Sequence, residues 1–238
     1  LMPYDMTDTT VHTVQFHSSD NSMTGAYTPF FTIAYVSAIG VEGHYSYQSA
    51  SAGLAGNGYV NLATGNLVFN IGTLTTTDAL MPFTPSLIYN SAYASRWSTR
   101  YTKNVPYSYT STPYGFMMNV NQTIVPLTRT TASNGTETYY VYTDSDGTEH
   151  AFFASTVAGE TNIYYDEDGL NLKLTVNSTS YVIEDSSYTK YTFSKQDTES
   201  TTIGIGGYLT TVTDVNGNTL NINCNTYGRP TSISMTPN

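Results

Sequence analysis

The sequence predicts an all-β protein, and three observations carry that expectation: the composition suits strands, apolar residues alternate over short runs, and turn residues recur between those runs. Charged residues make up only 11% of the chain, while Tyr alone supplies 22 positions. Thr, Ser, Asn and Gly are abundant and Ala, Leu, Glu and Lys scarce, a balance that favours the pleated strand and the turn over the helix. Turn signals stand at Thr64-Gly65-Asn66, Asn90-Ser91, Asn134-Gly135, Asp146-Gly147, Asp168-Gly169, Asn177-Ser178 and Asn216-Gly217. Short strands punctuated in this way build a sandwich, a barrel or a long meandering sheet, and the spacing alone does not choose among them.

In chain order, residues 1–38 read as terminal strands. VHTVQF (11–16) and FFTIAYV (30–36) alternate, with a turn-rich loop between them. Two strands alone are marginal in water, so this piece is expected to belong to a larger sheet. Residues 39–58 are rich in Gly, Ser and Ala without apolar period and read as a connection. Residues 59–238 form the main β region. Within it Pro106 and Pro113 interrupt any central strand, and Trp97, the single tryptophan, is expected to be a buried core aromatic under the sheet.

The clearest stretch runs from Gly207 to Ile233. Leu209, Val212 and Asp214 lead into Asn216-Gly217, and Leu220, Ile222 and Cys224 lead out. Asn-Gly between period-2 runs predicts a type I′ hairpin. A second turn follows at Tyr227-Gly228, then Arg229 and another short strand.

A net charge of −10 repels polyanions, which excludes nucleic acid as an expected partner. Cys224 is the single cysteine, so no intrachain disulfide forms; at an apolar strand position it reads as a core residue. No run of about 18 apolar residues marks a membrane span. The chain is expected to be soluble, and any export signal lies outside these residues.

Chemistry-bearing residues are present without a motif. Asp144-Ser-Asp146-Gly147, Asp166-Glu167-Asp168-Gly169 and Asp214-Val-Asn216-Gly217 invite a calcium reading, yet none has the alternating acids, sixth-position Gly and twelfth-position Glu of the helix-loop-helix site. No metal is expected. Of His12, His17, His44 and His150, the last follows Glu149 on a strand, so those two side chains point to opposite faces. No nucleophile elbow and no Gly-rich phosphate loop occur. Among the glutamates, Glu137, Glu149, Glu160, Glu167, Glu184 and Glu199 offer many glycosidase pairings and single out none. Tyr139, Tyr140, Tyr142, Tyr164 and Tyr165 suit a sugar-stacking platform and a half-wet sheet equally well. Neither a catalytic residue nor a cofactor is therefore expected.

The closing unit resembles the tyrosine-aspartate (YD) repeat of RHS proteins, a strand, an Asp-x-x-Gly-Asn turn, a strand ending on Tyr-Asp, then Gly-Arg. Asp214, Gly217, Asn218, Gly228 and Arg229 fit; Cys224 and Asn225 stand where the Tyr-Asp pair would be, as in a degenerate repeat at the margin of an array. GYVNLATGNLVF (58–69), YYVYTDSDGTEHAFF (139–153) and YYDEDGLNLKLTV (164–176) look like the opening of the RHS region in surface proteins of Gram-positive bacteria. Residues 1–38, with an aromatic strand, Ser18-Ser19-Asp20, Pro29 and a last Thr32-Ile33-Ala34-Tyr35 strand, resemble the end of the DNRLRE-type β-sandwich that precedes such regions. The resemblance implies a long curled antiparallel meander sheet, the start of a β-shell that in the family encloses a C-terminal toxin or variable domain. It also implies a secreted or cell-surface, non-catalytic structural protein whose partner is the remainder of the shell. A surface adhesin or carbohydrate-binding module, holding glycan or a host or target-cell protein, is the alternative, and a secreted glycan hydrolase the third reading. An unpaired C-terminal edge is expected to self-associate.

Overall fold

A computed structural model describes residues 12–15, 30–33, 40–43, 45–72, 81, 83–92, 115–130, 135–195, 206–225 and 230–238. Trp97, His17, His44, Gly228 and Arg229 lie outside the described residues. The chain divides into two compact units, Leu1–Ser37 and Ala38–Asn238. In the first, β1 (His12–Gln15) pairs antiparallel with β2 (Phe30–Ile33), His12 opposite Ile33.

The second unit is all-β and antiparallel, as composition and turn spacing predicted. Its first part is a five-stranded meander of β3 (Tyr47–Ser51), β4 (Asn57–Asn61), β5 (Leu67–Ile71), β6 (Leu87–Asn90) and β7 (Phe116–Met118), in that order. Val68, Ile88 and Met117 form its core. The connection expected over residues 39–58 is corrected here, because β3 lies inside it. β3 is an edge strand that is exposed after Tyr47 and pairs with β4 through backbone from Tyr47↔Asn61 to Ser51↔Asn57. A strand wet on both faces needs no apolar period, which is why small polar residues concealed it. The turn into β4 passes a single 3-10 turn, Gly53–Ala55, and Gly56, where a Cβ would lie 1.9 Å from the Asn70 carbonyl oxygen.

The second part is a ten-stranded meander: β8 (Thr123–Thr130), β9 (Thr136–Thr143), β10 (Glu149–Ala154), β11 (Ile163–Asp166), β12 (Lys173–Val176), β13 (Ser180–Glu184), β14 (Lys190–Lys195), β15 (Gly207–Thr213), β16 (Thr219–Cys224) and β17 (Pro230–Thr236). Each strand pairs with the next, and β15 also returns to β8, so β8 to β15 close into an eight-stranded barrel. Strand alternation sends Tyr140 and Tyr142, Phe152, Leu174, Tyr181 and Ile183, Phe193 and Leu209 into one buried cluster. Eight strands enclose just enough room for side chains to fill. The aromatic rings meet edge-on, Tyr142 to Phe193 at 5.7 Å and Tyr140 to Tyr164 at 4.7 Å, the arrangement their quadrupoles favour.

β15 serves three neighbours. Gly207 and Tyr208 face Ile124 and Thr123 of β8 and close the ring, while Thr211 to Thr213 face β16. Between these halves the register slips: Thr192 opposes Thr211 but Phe193 opposes Leu209, leaving Thr210 as a bulge whose hydroxyl donates to the Thr192 carbonyl at 3.1 Å. A bulge bends and twists a strand, which lets this one turn from β8 toward β16. At the seam a Cβ on Gly207 would sit 2.9 Å from the Tyr181 ring and 3.2 Å from Phe193. β16 and β17 thus leave the ring as a hairpin, and Cys224 packs half-buried against the core, its thiol pushed up to about 11 by burial. No helix among the described residues is long and apolar enough to cross a membrane.

Candidate functional site

Successive connections of a meander alternate between its two ends, so the β9–β10, β11–β12 and β13–β14 turns crowd one mouth of the barrel. Each begins with an aspartate that organises its own loop. Asp144 Oδ1 accepts the N–H of Asp146 (3.0 Å) and Thr148 (2.9 Å). Asp185 Oδ1 accepts the N–H of Ser187 (2.8 Å) and Thr189 (3.0 Å). In the longer third turn Asp166 receives the N–H of Leu170 and Leu172.

The β15–β16 turn repeats the first layout and holds three of the motif residues. Asp214 Oδ1 accepts the N–H of Asn216 and Asn218, both at 2.9 Å, Asn218 Nδ2 donates to Asp214 Oδ2 at 2.8 Å, and the Gly217 N–H returns to the Asp214 carbonyl. The Asn218 amide and the loop N–H groups hold the Asp214 carboxyl below its ordinary value. The type I′ expectation is corrected: only Gly217 (φ 87°) has positive φ, not Asn216. One carboxylate gathering the N–H groups two and four residues on requires a three-residue loop with a left-handed fourth position. Gly147 (φ 91°) and Tyr188 (φ 61°) occupy that fourth position in the sister loops.

The sequence reading missed His150. Glu149 and His150 do face opposite ways, but the turn register sets His150 opposite Tyr142 on the inner face, where Asp144 is its diagonal neighbour. His150 Nε2 lies 3.4 Å from Asp144 Oδ2, and Nδ1 lies 2.9 Å from Asp168 Oδ2, contributed by the β11–β12 turn. Burial alone would depress the imidazole, but hydrogen bonds and charge from Asp144 and Asp168 outweigh it and raise His150 to about 10. The ring, 5% exposed, is therefore an imidazolium at neutral pH. Burial pushes the Asp144 carboxyl up, yet His150 and its loop partners carry it below its usual value. Asp146 goes the other way, to about 7, through burial and the adjacent Asp144 carboxylate.

Asp146 also fastens the five-stranded part to the barrel. Its Oδ2 accepts the Val41 N–H at 2.8 Å, and its carbonyl accepts Asn90 Nδ2 at 3.2 Å. Gly40 is required there: a Cβ would fall 1.7 Å from Thr148 Oγ1.

Below these loops opens a cavity of about 230 Å³. Tyr142, Ile183 and Tyr191 line it from the strands, Asp144, Ser145, Leu170, Leu172 and Asp185 from the turns, with His150 and Gln122 beside them. Tyr142 donates its hydroxyl to Gln122 Oε1 at 2.7 Å. Burial, with the negative charges of Asp144, Asp146 and Asp185 around it, pushes that phenol well above its ordinary value, so it stays a neutral hydroxyl. Among the described residues no group of three or more His, Cys, Asp or Glu side chains is set to hold a metal ion. Compared with known proteins, the chain matches no family model and no curated sequence.

Proposed function

We propose that the chain is a non-catalytic structural segment of a secreted or cell-surface RHS/YD-repeat protein, the start of the β-shell that in that family surrounds a C-terminal toxin or variable domain. The observation that carries the reading is the route of the sheet: it closes a ring at Gly207 and Tyr208, then continues out of that ring through β16 to β17. A barrel built only to close has no use for strands beyond its seam. Here the leaving hairpin is the one capped by Asp214, Gly217 and Asn218, and β17 pairs on one side only among the described strands. The ring is filled with side chains and serves as a hub, and the wall begins at β16. Its partner is the remainder of the shell, and an edge of this kind also pairs with second copies at high concentration.

Hydrogen exchange tests the reading. The amides of residues 230–236 are measured in this chain and in a longer polypeptide from the same gene. Restored repeats should slow exchange of the outward-facing amides by at least about tenfold. Equal exchange in both, with the edge still open to solvent, would refute the shell assignment.

A further inference from the structure

The geometry points to a binding site in the barrel mouth for a small organic ammonium ion, held by Asp185 and Asp144 beside Tyr142 and Tyr191. This goes beyond the structural role above and does not depend on it. The cavity measures about 230 Å³, roughly the liquid share of eight water molecules, and opens between three hairpin turns at the end of a barrel that buries an aromatic and aliphatic cluster. Barrel mouths are where closed sheets accept ligands, because strand ends and turns supply polar groups there while the strands supply an apolar floor.

The lining selects the ligand class. Asp144 and Asp185 reach the cavity from separate turns, and Asp168 stands behind His150. Against these carboxylates the lining offers one cation, the His150 imidazolium, whose two nitrogens face Asp144 and Asp168. Asp185 engages its own loop through Oδ1 and lines the cavity. An anion entering here meets repulsion, and a cation meets uncompensated negative charge. Tyr142 donates its proton to Gln122, so its oxygen presents lone pairs to an N–H donor. Tyr191, Leu170, Leu172 and Ile183 add apolar surface that suits a short hydrocarbon chain.

The test titrates the intact chain with n-butylammonium chloride, with n-butanol and sodium butyrate as neutral and anionic counterparts, and reads amide chemical shifts. Expected is saturable binding with a Kd on the order of 1 mM, suited to so few atoms, and shifts confined to residues 122, 142–150, 170–172 and 183–191. Butanol and butyrate should bind at least about fivefold more weakly. Asp185→Asn keeps an Oδ1 acceptor for the loop and should weaken the ammonium by a similar factor while leaving butanol unchanged. Binding of butanol as tight as that of the ammonium, shifts without saturation, or an unchanged affinity in Asp185→Asn would overturn the assignment. If Asp185→Asn fails to fold, the comparison of the three ligands on the natural chain decides alone.

Discussion

Replacing His150 by Asn tests the electrostatic centre of the mouth. The imidazolium lies between Asp144 and Asp168 with its side chain 6% exposed, and Asn keeps a polar donor there without the charge. A rise from 6.5 to about 10 is worth, at about 1.36 kcal/mol per unit, close to 5 kcal/mol as an upper figure. Asp168 is 40% exposed, so water screens its share, and a loss of about 2–3 kcal/mol is expected at about pH 6. Because the folded value exceeds the unfolded one, this stabilisation is complete below about pH 6.5. It declines as pH rises, because the unfolded chain releases its proton first, and is gone above about pH 10. Urea unfolding followed by far-ultraviolet circular dichroism at about pH 6 and about pH 9.5 should therefore show the two proteins converging, the difference falling to ~1 kcal/mol. A gap of the same size at both pH values would mean that His150 acts by shape alone and would refute the charge argument.

Three further outcomes test the turns and the seam. Tyr188→Gly should stabilise the chain by roughly 0.5 kcal/mol, since Tyr188 is exposed with φ 61° where its sister loops carry Gly, and part of the relieved strain is offset by glycine's backbone entropy. Gly217→Ala should cost about 1–2 kcal/mol in the same denaturation assay, because its φ is 87° and the new Cβ would approach Asn238 Nδ2 to 2.8 Å; a neutral result would contradict the bracketed-turn geometry. Gly207→Ala, which drives a methyl into Tyr181 and Phe193 at the closure, should cost about 1–3 kcal/mol and speed exchange of the β8–β15 amides, an outcome that an open sheet would not give.

Composition and local chemistry by themselves determined the strand class and most of the turn positions, but not the Asp185–Thr189 turn, which has no Gly or Asn to mark it. Tyr and Thr favour the pleat whatever surrounds them, and alternation such as Tyr140, Tyr142 or Tyr181, Ile183 marks one face without knowledge of the partner. The Asp-x-x-Gly loops were visible as turns for the same local reason, although their type was not: the Asp214 carboxylate, by gathering the N–H groups two and four residues on, overrode the Asn-Gly preference. β3 escaped notice because an exposed edge strand is held by backbone bonds that any residue can make. Tertiary structure alone decided closure and the mouth. Whether β15 returns to β8 depends on accumulated twist and stagger over eight strands and on one glycine at the seam, neither written in any short window. His150 meets Asp144 through hairpin register, a signal that the sequence contained, but it meets Asp168 only because the barrel curls a different turn over it, bringing together charges 18 residues apart.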